Sequence, residues 1–316
     1  MLLKNTKIII ITPIYEDNEA SSMLFQEISE ILDYEVYIVA VDDGSVIKPV
    51  SIENVENSKL QGVVIKLKRN LGHQGAISVG LGYVSEHHSD SKYIVVMDSD
   101  GEDMPSSISQ LIQSLSSKNV DLVVAKRKSR IESLIFRIFY AVYKLIFQLF
   151  TGRTINFGNF MALKPGAVSR LVEMRELWLH VAGCVLTSKL RIATCEIDRG
   201  ARYTGTSKMN FVSLALHGFR GLMVFAEDVL VRVGIACSLI AFLSIFAGMA
   251  AIVLKVMGIA TPGWFSIALG VLLLVFLQTA ALTLMTLMLT GVVKSGTMVS
   301  ARYSDFVHSI IHSKDK

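Results

Sequence analysis

Apolar residues in the first part of the chain come in short, dense runs separated by amphipathic stretches. Lys7–Thr12, Val36–Val41, Val63–Leu67, Tyr93–Met97 and Leu122–Ala125 are brief, apolar and mostly β-branched. Unbroken runs of this kind suit strands of a parallel sheet covered on both faces. Between several of them lie stretches with helical spacing, at Ala20–Leu32, Gln74–Ser85 and Ser106–Ser116. The alternation predicts an α/β fold, a mostly parallel sheet with helices on both faces. No internal repeat or low-complexity tract interrupts it.

The pattern changes after residue 228. No charge occurs from Val233 to Leu254, and none from Trp264 to Val293. Each run exceeds the roughly 20 apolar residues needed to cross a bilayer. Lys255–Gly263 between them reads as a turn, broken by Pro262 and Gly263. The pair predicts a transmembrane hairpin; two core helices of a large soluble protein are the competing reading. Arg220 and Arg232 precede the first run, Lys294 and Arg302 follow the second, and the turn holds only Lys255. The positive-inside rule therefore places both termini in the cytoplasm. The run Ile8–Ile11 is too short for a signal peptide and leads into Pro13 and acidic residues. Residues 130–150 and Phe211–Val231 mix a broad apolar face with basic residues, among them Arg137, Lys144, Arg220 and His217. Both suit helices lying in a membrane interface, with packing on the domain core as the alternative.

Composition agrees with this division. The chain is 52% hydrophobic and 18% charged, and its mean hydropathy of +0.50 is too high for an ordinary soluble enzyme. A net charge of +4 suits an anionic membrane surface and gives no sign of nucleic-acid binding. Cys184, Cys195 and Cys237 show neither metal-ligand spacing nor an even disulfide framework.

Candidate chemistry gathers where the strands end. Asp98 and Asp100 follow the apolar run Ile94–Met97, two residues apart. At the carboxyl edge of a parallel sheet both can point into the crevice where such folds bind ligands. Two hard oxygen donors there suit Mg²⁺ or Mn²⁺ completed by substrate phosphates; a solvated turn is the plain alternative. The other strand ends carry Tyr15-Glu16-Asp17, Asp42-Asp43-Gly44-Ser45 and Arg69-Asn70-Leu71-Gly72-His73. Asp43 can accept a base imide or ribose hydroxyl, Arg69 can reach a phosphate, and Gly72 and Gly75 let backbone amides approach one. Together these describe a nucleotide-diphosphate crevice.

The ordered string Pro13-x-Tyr15, Val41-Asp42-Asp43-Gly44-Ser45, Arg69-Asn70-x-Gly72-x-x-x-Ala76 and Asp98-x-Asp100-x-x-Asp103-x-Pro105 resembles the family 2 glycosyltransferases of GT-A fold. Arg199-x-x-Arg202-x-x-Gly205-x-Ser207-Lys208-Met209 is similar to a loop of the polyprenyl-phosphate branch, which includes dolichol-phosphate mannose synthase. The likeness extends over about residues 7–290. It implies nucleotide binding by Pro13, Tyr15, Asp17 and Asp43, metal and diphosphate binding by Asp98 and Asp100, and Glu102 as a further metal ligand. It also implies that Arg127, Arg202, Ser207 and Lys208 surround the donor and acceptor phosphates. The chain departs from the branch in three places. Glu16 stands where Asn is usual, Asn156-Phe-Gly158-Asn159-Phe160 replaces Asp-Ala-Gly-Asp-Phe, and the Gly-Glu-Tyr and Arg-rich ending is missing.

The expected organisation is a GT-A catalytic domain over 1–207, an interfacial helix within it at 130–150, an amphipathic helix at 208–231, a hairpin at 232–294 and a cytoplasmic tail at 295–316. The expected protein is a multi-pass inner-membrane enzyme. It is expected to transfer a sugar, with inversion, from a UDP- or GDP-sugar to polyprenyl phosphate, using Mg²⁺ or Mn²⁺. The lipid bilayer is a partner, nucleic acid is not, and association with further copies is left open. The alternative is extension of a lipid-linked or envelope glycan at a sugar hydroxyl. That acceptor needs a general base, which Glu173, Glu176 or His180 could supply. A lipid phosphate is already anionic and needs none.

Overall fold

The computed structural model describes residues 7–127, 134–204, 211–259, 261, 263–295 and 302–314. Its elements begin with β1 (Lys7–Ile14), α1 (Asn18–Ile31), β2 (Glu35–Asp42), α2 (Ile52–Asn57), β3 (Gln61–Leu67), α3 (His73–His87) and β4 (Tyr93–Val96). Then come α4 (Ile108–Ser117), β5 (Leu122–Arg127), α5 (Leu134–Thr151), β6 (Met161–Leu163), α6 (Pro165–Val172), α7 (Glu176–Leu179), α8 (Val181–Thr187) and β7 (Ile192–Ile197). The last are α9 (Phe211–Val224), α10 (Ala226–Val256), α11 (Trp264–Ser295) and β8 (Val307–His312). The chain divides into two compact units: Met1–Phe139 with Ile155–Val224 and Ser300–Lys316, and Tyr140–Thr154 with Phe225–Val299.

The first unit is built on one eight-stranded sheet, ordered β7-β5-β6-β4-β1-β2-β3-β8. β1 pairs in parallel with β2 and β4, β2 with β3, and β5 with β7. β6 runs antiparallel to β4 and β5. The apolar runs are continuous because both faces are covered. Ile9, Ile11, Val39, Val41, Val63 and Ile65 face a core shared with Ala76 and Ile77 of α3. Ile8, Ile10, Ile38, Ala40 and Val64, one residue out of step, face Leu24 and Phe25 of α1 and Leu111 of α4. Each such Val, Leu, Ile or Phe side chain fully removed from water contributes about 1.5–3 kcal/mol. At Gly80 a Cβ would stand 2.4 Å from Ile11 Cγ2, so the lack of a side chain sets how closely α3 lies on β1.

Residues 302–314 fall within the segment read from sequence as a tail, yet they belong to this sheet. β8 pairs antiparallel with β3 from Val63↔His312 to Leu67↔Val307. Tyr303 lies against the position of Gly82 in α3 and donates its hydroxyl to Glu86 at 3.0 Å. Lys68 Nζ donates to the Asp305 carbonyl at 2.8 Å. The chain therefore leaves the first unit after Val224, and returns to the same unit after the two long helices.

In the second unit α10 and α11 form an antiparallel hairpin. A Cβ at Gly234 would meet Thr286 Oγ1 at 3.0 Å, and Ser238 Oγ lies 3.5 Å from Thr283 Oγ1. Small buried residues, Cys237, Ala241 and Ser244, continue along α10. Both helices are long and apolar enough to cross a membrane. Phe147 of α5 packs edge-on against Phe225, with ring centroids 5.6 Å apart.

Candidate active site

The edge of the first unit at the carboxyl ends of β1, β2 and β4 collects most of the described candidate residues, and backbone demands sort them into different tasks. At the end of β1, Pro13 is buried within the strand while Tyr15 is exposed. Asp17 caps α1, its Oδ1 accepting the Ala20 N–H at 3.4 Å. Asp42 is spent on its own turn, accepting the N–H groups of Ser45 at 3.0 Å and Val50 at 3.3 Å. Asp43 faces the other way. Its Oδ1 accepts the Leu71 N–H at 2.7 Å, which joins the β2 edge to the loop before α3. Gly44, with φ of +72°, sits where a Cβ would lie 2.6 Å from the Arg69 carbonyl carbon. Arg69 is exposed, and Nη1 donates to the Asn70 carbonyl at 3.4 Å. Glu16, at φ of 48°, accepts the backbone N–H groups of Val46 and Lys48, each at 2.6 Å, and so shapes the loop after β2.

The acidic loop after β4 is held from within and from across. Buried Asp103 accepts the Asp98 N–H at 3.0 Å, and Asp100 Oδ1 accepts the Glu102 N–H at 3.0 Å. His73, first residue of α3, places Nε2 3.2 Å from Asp98 Oδ1. A strap formed by residues 198–204 crosses the loop. The Gly200 N–H reaches the Glu102 carbonyl at 3.0 Å, and the Tyr203 N–H reaches that of Asp100 at 2.9 Å. The Tyr203 hydroxyl donates to Glu27. Arg202 Nη2 lies 3.0 Å from Asp100 Oδ2, its Nε donates to Glu102 Oε1 at 2.8 Å, and Arg199 takes the other Glu102 oxygen. At Gly101, φ is +89° and a Cβ would stand 2.9 Å from the Tyr203 ring, so the strap sits where only glycine leaves room. A small recess beside it is lined by Asp98, Glu102, Asp103, Asn159, Phe160 and Asp198.

Electrostatics follow from this packing. Burial pushes the Asp43 carboxyl above its ordinary range, against the opposing hydrogen bond from Leu71. Burial also raises Asp100, partly offset by the Glu102 N–H bond. Burial would raise Glu102 as well, but hydrogen bonds from Arg199 and Arg202 outweigh it and hold the carboxyl low. Desolvation works to lower His73, and the Asp98 carboxylate outweighs it and holds the imidazole above its ordinary value.

The structure thus brings Asp98, Asp100, Glu102 and Arg202 into one cluster, and links Asp43 to it through residues 71–73. Glu102, expected to reach a metal, gives both carboxylate oxygens to arginines, because the strap brings two guanidiniums within reach. Ser207 and Lys208 lie outside the described residues. Arg127 ends β5, and its side chain also lies outside what is described. His180 is no free base: it is buried, and Nδ1 accepts the Gly183 N–H at 3.0 Å as the cap of α8. His73, Arg199 and Asp198 are additions to the expected set. In the sequence Arg199 opens the loop motif, His73 closes a strand-end string and Asp198 only adjoins the motif, and none of these patterns reveals partners.

Residues 9–164 match the glycosyl transferase family 2, a segment that contains Asp43, Asp98 and Asp100. The chain thus carries a family 2 glycosyltransferase domain. The transferase is 25% identical over 283 residues to an uncharacterized glycosyltransferase, YkoT, of Bacillus subtilis, covering 85% of this chain and 82% of that one. It is 28% identical over 247 residues to the bactoprenol glucosyl transferase of Shigella phage SfV, covering 75% and 78%. Among solved structures it is similar to glucosyl-3-phosphoglycerate synthase from Mycobacterium tuberculosis in complex with Mn²⁺, UDP-glucose and phosphoglyceric acid. That likeness has a TM-score of 0.50 at 16% identity, over 72% of this chain and 79% of the other, and it shows the GT-A fold. The strap with Arg199 and Arg202, the long helices and β8 lie beyond the family match.

Proposed function

We propose that the transferase moves a sugar from a nucleoside diphosphate onto the phosphate of a polyprenyl lipid at a membrane surface. The observation that carries this reading is the meeting of Asp98 and Asp100 with Arg202 at the carboxyl edge of the sheet. Asp43, anchored to the loop before α3, would hydrogen-bond the nucleoside. UDP is the first donor to test, and GDP the second. Arg202, paired with Asp100 and Glu102, sets positive charge beside the carboxylates that would meet the donor diphosphate. An acceptor phosphate is anionic at neutral pH, so its oxygen can attack the anomeric carbon without a base. The sugar–diphosphate bond breaks as the new bond forms, with inversion, and the nucleoside diphosphate leaves. The name of the phage relative, a bactoprenol glucosyl transferase, supports a polyprenyl acceptor.

The donor set fits a divalent cation such as Mg²⁺ or Mn²⁺. Asp98 and Asp100 are hard carboxylates that already draw His73 and Arg202. Among the described residues no group of three or more His, Cys, Asp or Glu side chains is disposed to hold a metal ion by itself, so phosphates and water would complete the shell. When bound, the cation would supply positive charge to the departing diphosphate. The helices α5 and α9 are proposed to lie in the interface of an inner membrane, and α10 with α11 to cross it as a hairpin. The pairing of β8 with β3 supports the early and late segments lying on the same side of that membrane.

The test is transfer of label from UDP- and GDP-sugars to polyprenyl phosphate in membranes. An acid-labile lipid monophosphosugar is expected, and is expected to vanish in Asp100→Asn and in excess EDTA. Full activity of Asp100→Asn in EDTA rejects the metal role. Formation of a larger glycan instead favours the hydroxyl acceptor, for which Asp198, lining the Asp98 recess, is the candidate base.

A further inference from the structure

We propose that Arg220 of α9 binds the phosphomonoester of the lipid acceptor. This assignment rests on the polyprenyl-phosphate reading above and names the group that receives that phosphate. Gly218 and Gly221 on α9 are buried, while Leu216, Phe219 and Met223 are 53%, 64% and 60% exposed. Val224 closes onto α8, where a Cβ at Gly183 would stand 3.1 Å from it. The helix is therefore seated on the catalytic unit by one face. On the other it presents an apolar stripe at helical spacing, as an interfacial helix does.

Arg220 interrupts that stripe with a charge, and its guanidinium does not turn away from the protein. Nη1 lies 3.9 Å from where a Cβ of Gly72 would be. Gly72 is flanked by Leu71, whose N–H holds Asp43, and by His73, whose imidazole meets Asp98. Arg220 thus stands at the mouth of the crevice and within an exposed apolar surface at once. A polyprenyl phosphate has the same two-part chemistry, an anionic head on a hydrocarbon chain. Arg202, one of the sequence candidates for this task, is already committed to Asp100 and Glu102. No ion pair among the described residues engages Arg220. Charge complementarity and the continuity of α9 with the crevice both favour the acceptor phosphate as its occupant.

The experiment uses the full chain in detergent and measures binding of a short-chain polyprenyl phosphate, the matching polyprenol, and UDP-sugar. Arg220→Ala is expected to weaken lipid-phosphate binding about tenfold or more, roughly 1.4 kcal/mol on the affinity scale. Polyprenol binding and UDP-sugar affinity should stay within about twofold of wild type, which also shows that the variant is folded. Arg220→Lys should recover part of the loss, since it restores the charge without the fork. An equal loss of donor binding would assign Arg220 to the diphosphate and overturn the proposal. So would a defect seen only as weaker partition onto phosphatidylglycerol vesicles, with lipid-phosphate binding in detergent unchanged. A wild-type protein that binds no polyprenyl phosphate overturns both this assignment and the functional reading. Binding in wild type that Arg220→Ala leaves intact overturns this assignment alone.

Discussion

Replacing Glu102 by Gln tests what holds the strap on the acidic loop. The substitution keeps the shape of the side chain and removes the charge shared by Arg199 and Arg202. A hydrogen bond to a charged group contributes about 1.5–3 kcal/mol. The three side chains are 12%, 38% and 28% exposed, so water screens the pair and a discounted total of about 2 kcal/mol is reasonable. The two backbone bonds that report on the strap, from Gly200 N–H and Tyr203 N–H, end on carbonyl groups that the substitution does not touch. Their hydrogen exchange therefore measures how often the strap lifts. At about 1.4 kcal/mol per tenfold change, exchange of both amides should accelerate roughly 30-fold. Exchange within β1 should be unchanged. Acceleration of less than about threefold at Gly200 and Tyr203 would refute the reasoning and leave the Tyr203–Glu27 contact as the anchor.

Three other outcomes follow from the same structure. Gly44→Ala forces an L residue into φ of +72° and its Cβ to 2.6 Å from Arg69 backbone. It should cost at least about 1–2 kcal/mol of stability and weaken donor binding, and normal melting with normal donor affinity would contradict the contact. Asp121 is pushed down to about 2, chiefly by its hydrogen bonds from Arg191. Its contribution to stability is therefore complete above the ordinary carboxylate range and is lost as pH falls toward 2. Arg191→Ala should move the Asp121 midpoint upward in an NMR titration, and an unmoved midpoint removes Arg191 as the cause. In a cysteine-free background in sealed cells, an impermeant thiol reagent should label a cysteine at Gly258 but not one at Ser304. Labelling of Ser304→Cys alone reverses the proposed orientation.

Much of the architecture was legible from local pattern. Short β-branched runs became β1 to β5, since a residue buried on both faces must be apolar whichever way it points. Charge-free runs became α10 and α11 because helix length and hydropathy are properties of the segment itself. β6 carries too few residues to stand out, and β7 mixes Thr194 and Glu196 into its apolar positions. β8 is similar: Val307–His312 is half apolar, and nothing in it names β3 as its partner across more than two hundred intervening positions. Ladder pairing between distant segments is decided by where the intervening chain returns, and two long helices separate these strands.

The candidate site divides in the same way. Strand-end placement of Asp43, Asp98 and Asp100 followed from the motifs, because a parallel sheet presents its ligand edge at the carboxyl ends. Which carboxylate does what did not. Asp42 and Asp43 are adjacent and chemically alike, yet one closes a turn and the other reaches Leu71, because consecutive side chains leave a strand on opposite sides. Asp17 and His180 carry suitable chemistry but cap helices. Glu102 and Arg202 advertise charge in the sequence, and only the folded strap shows that they satisfy each other. Charge and hydropathy belong to single residues and can be read along the chain. Partners are set by three-dimensional proximity, which the tertiary structure alone decides.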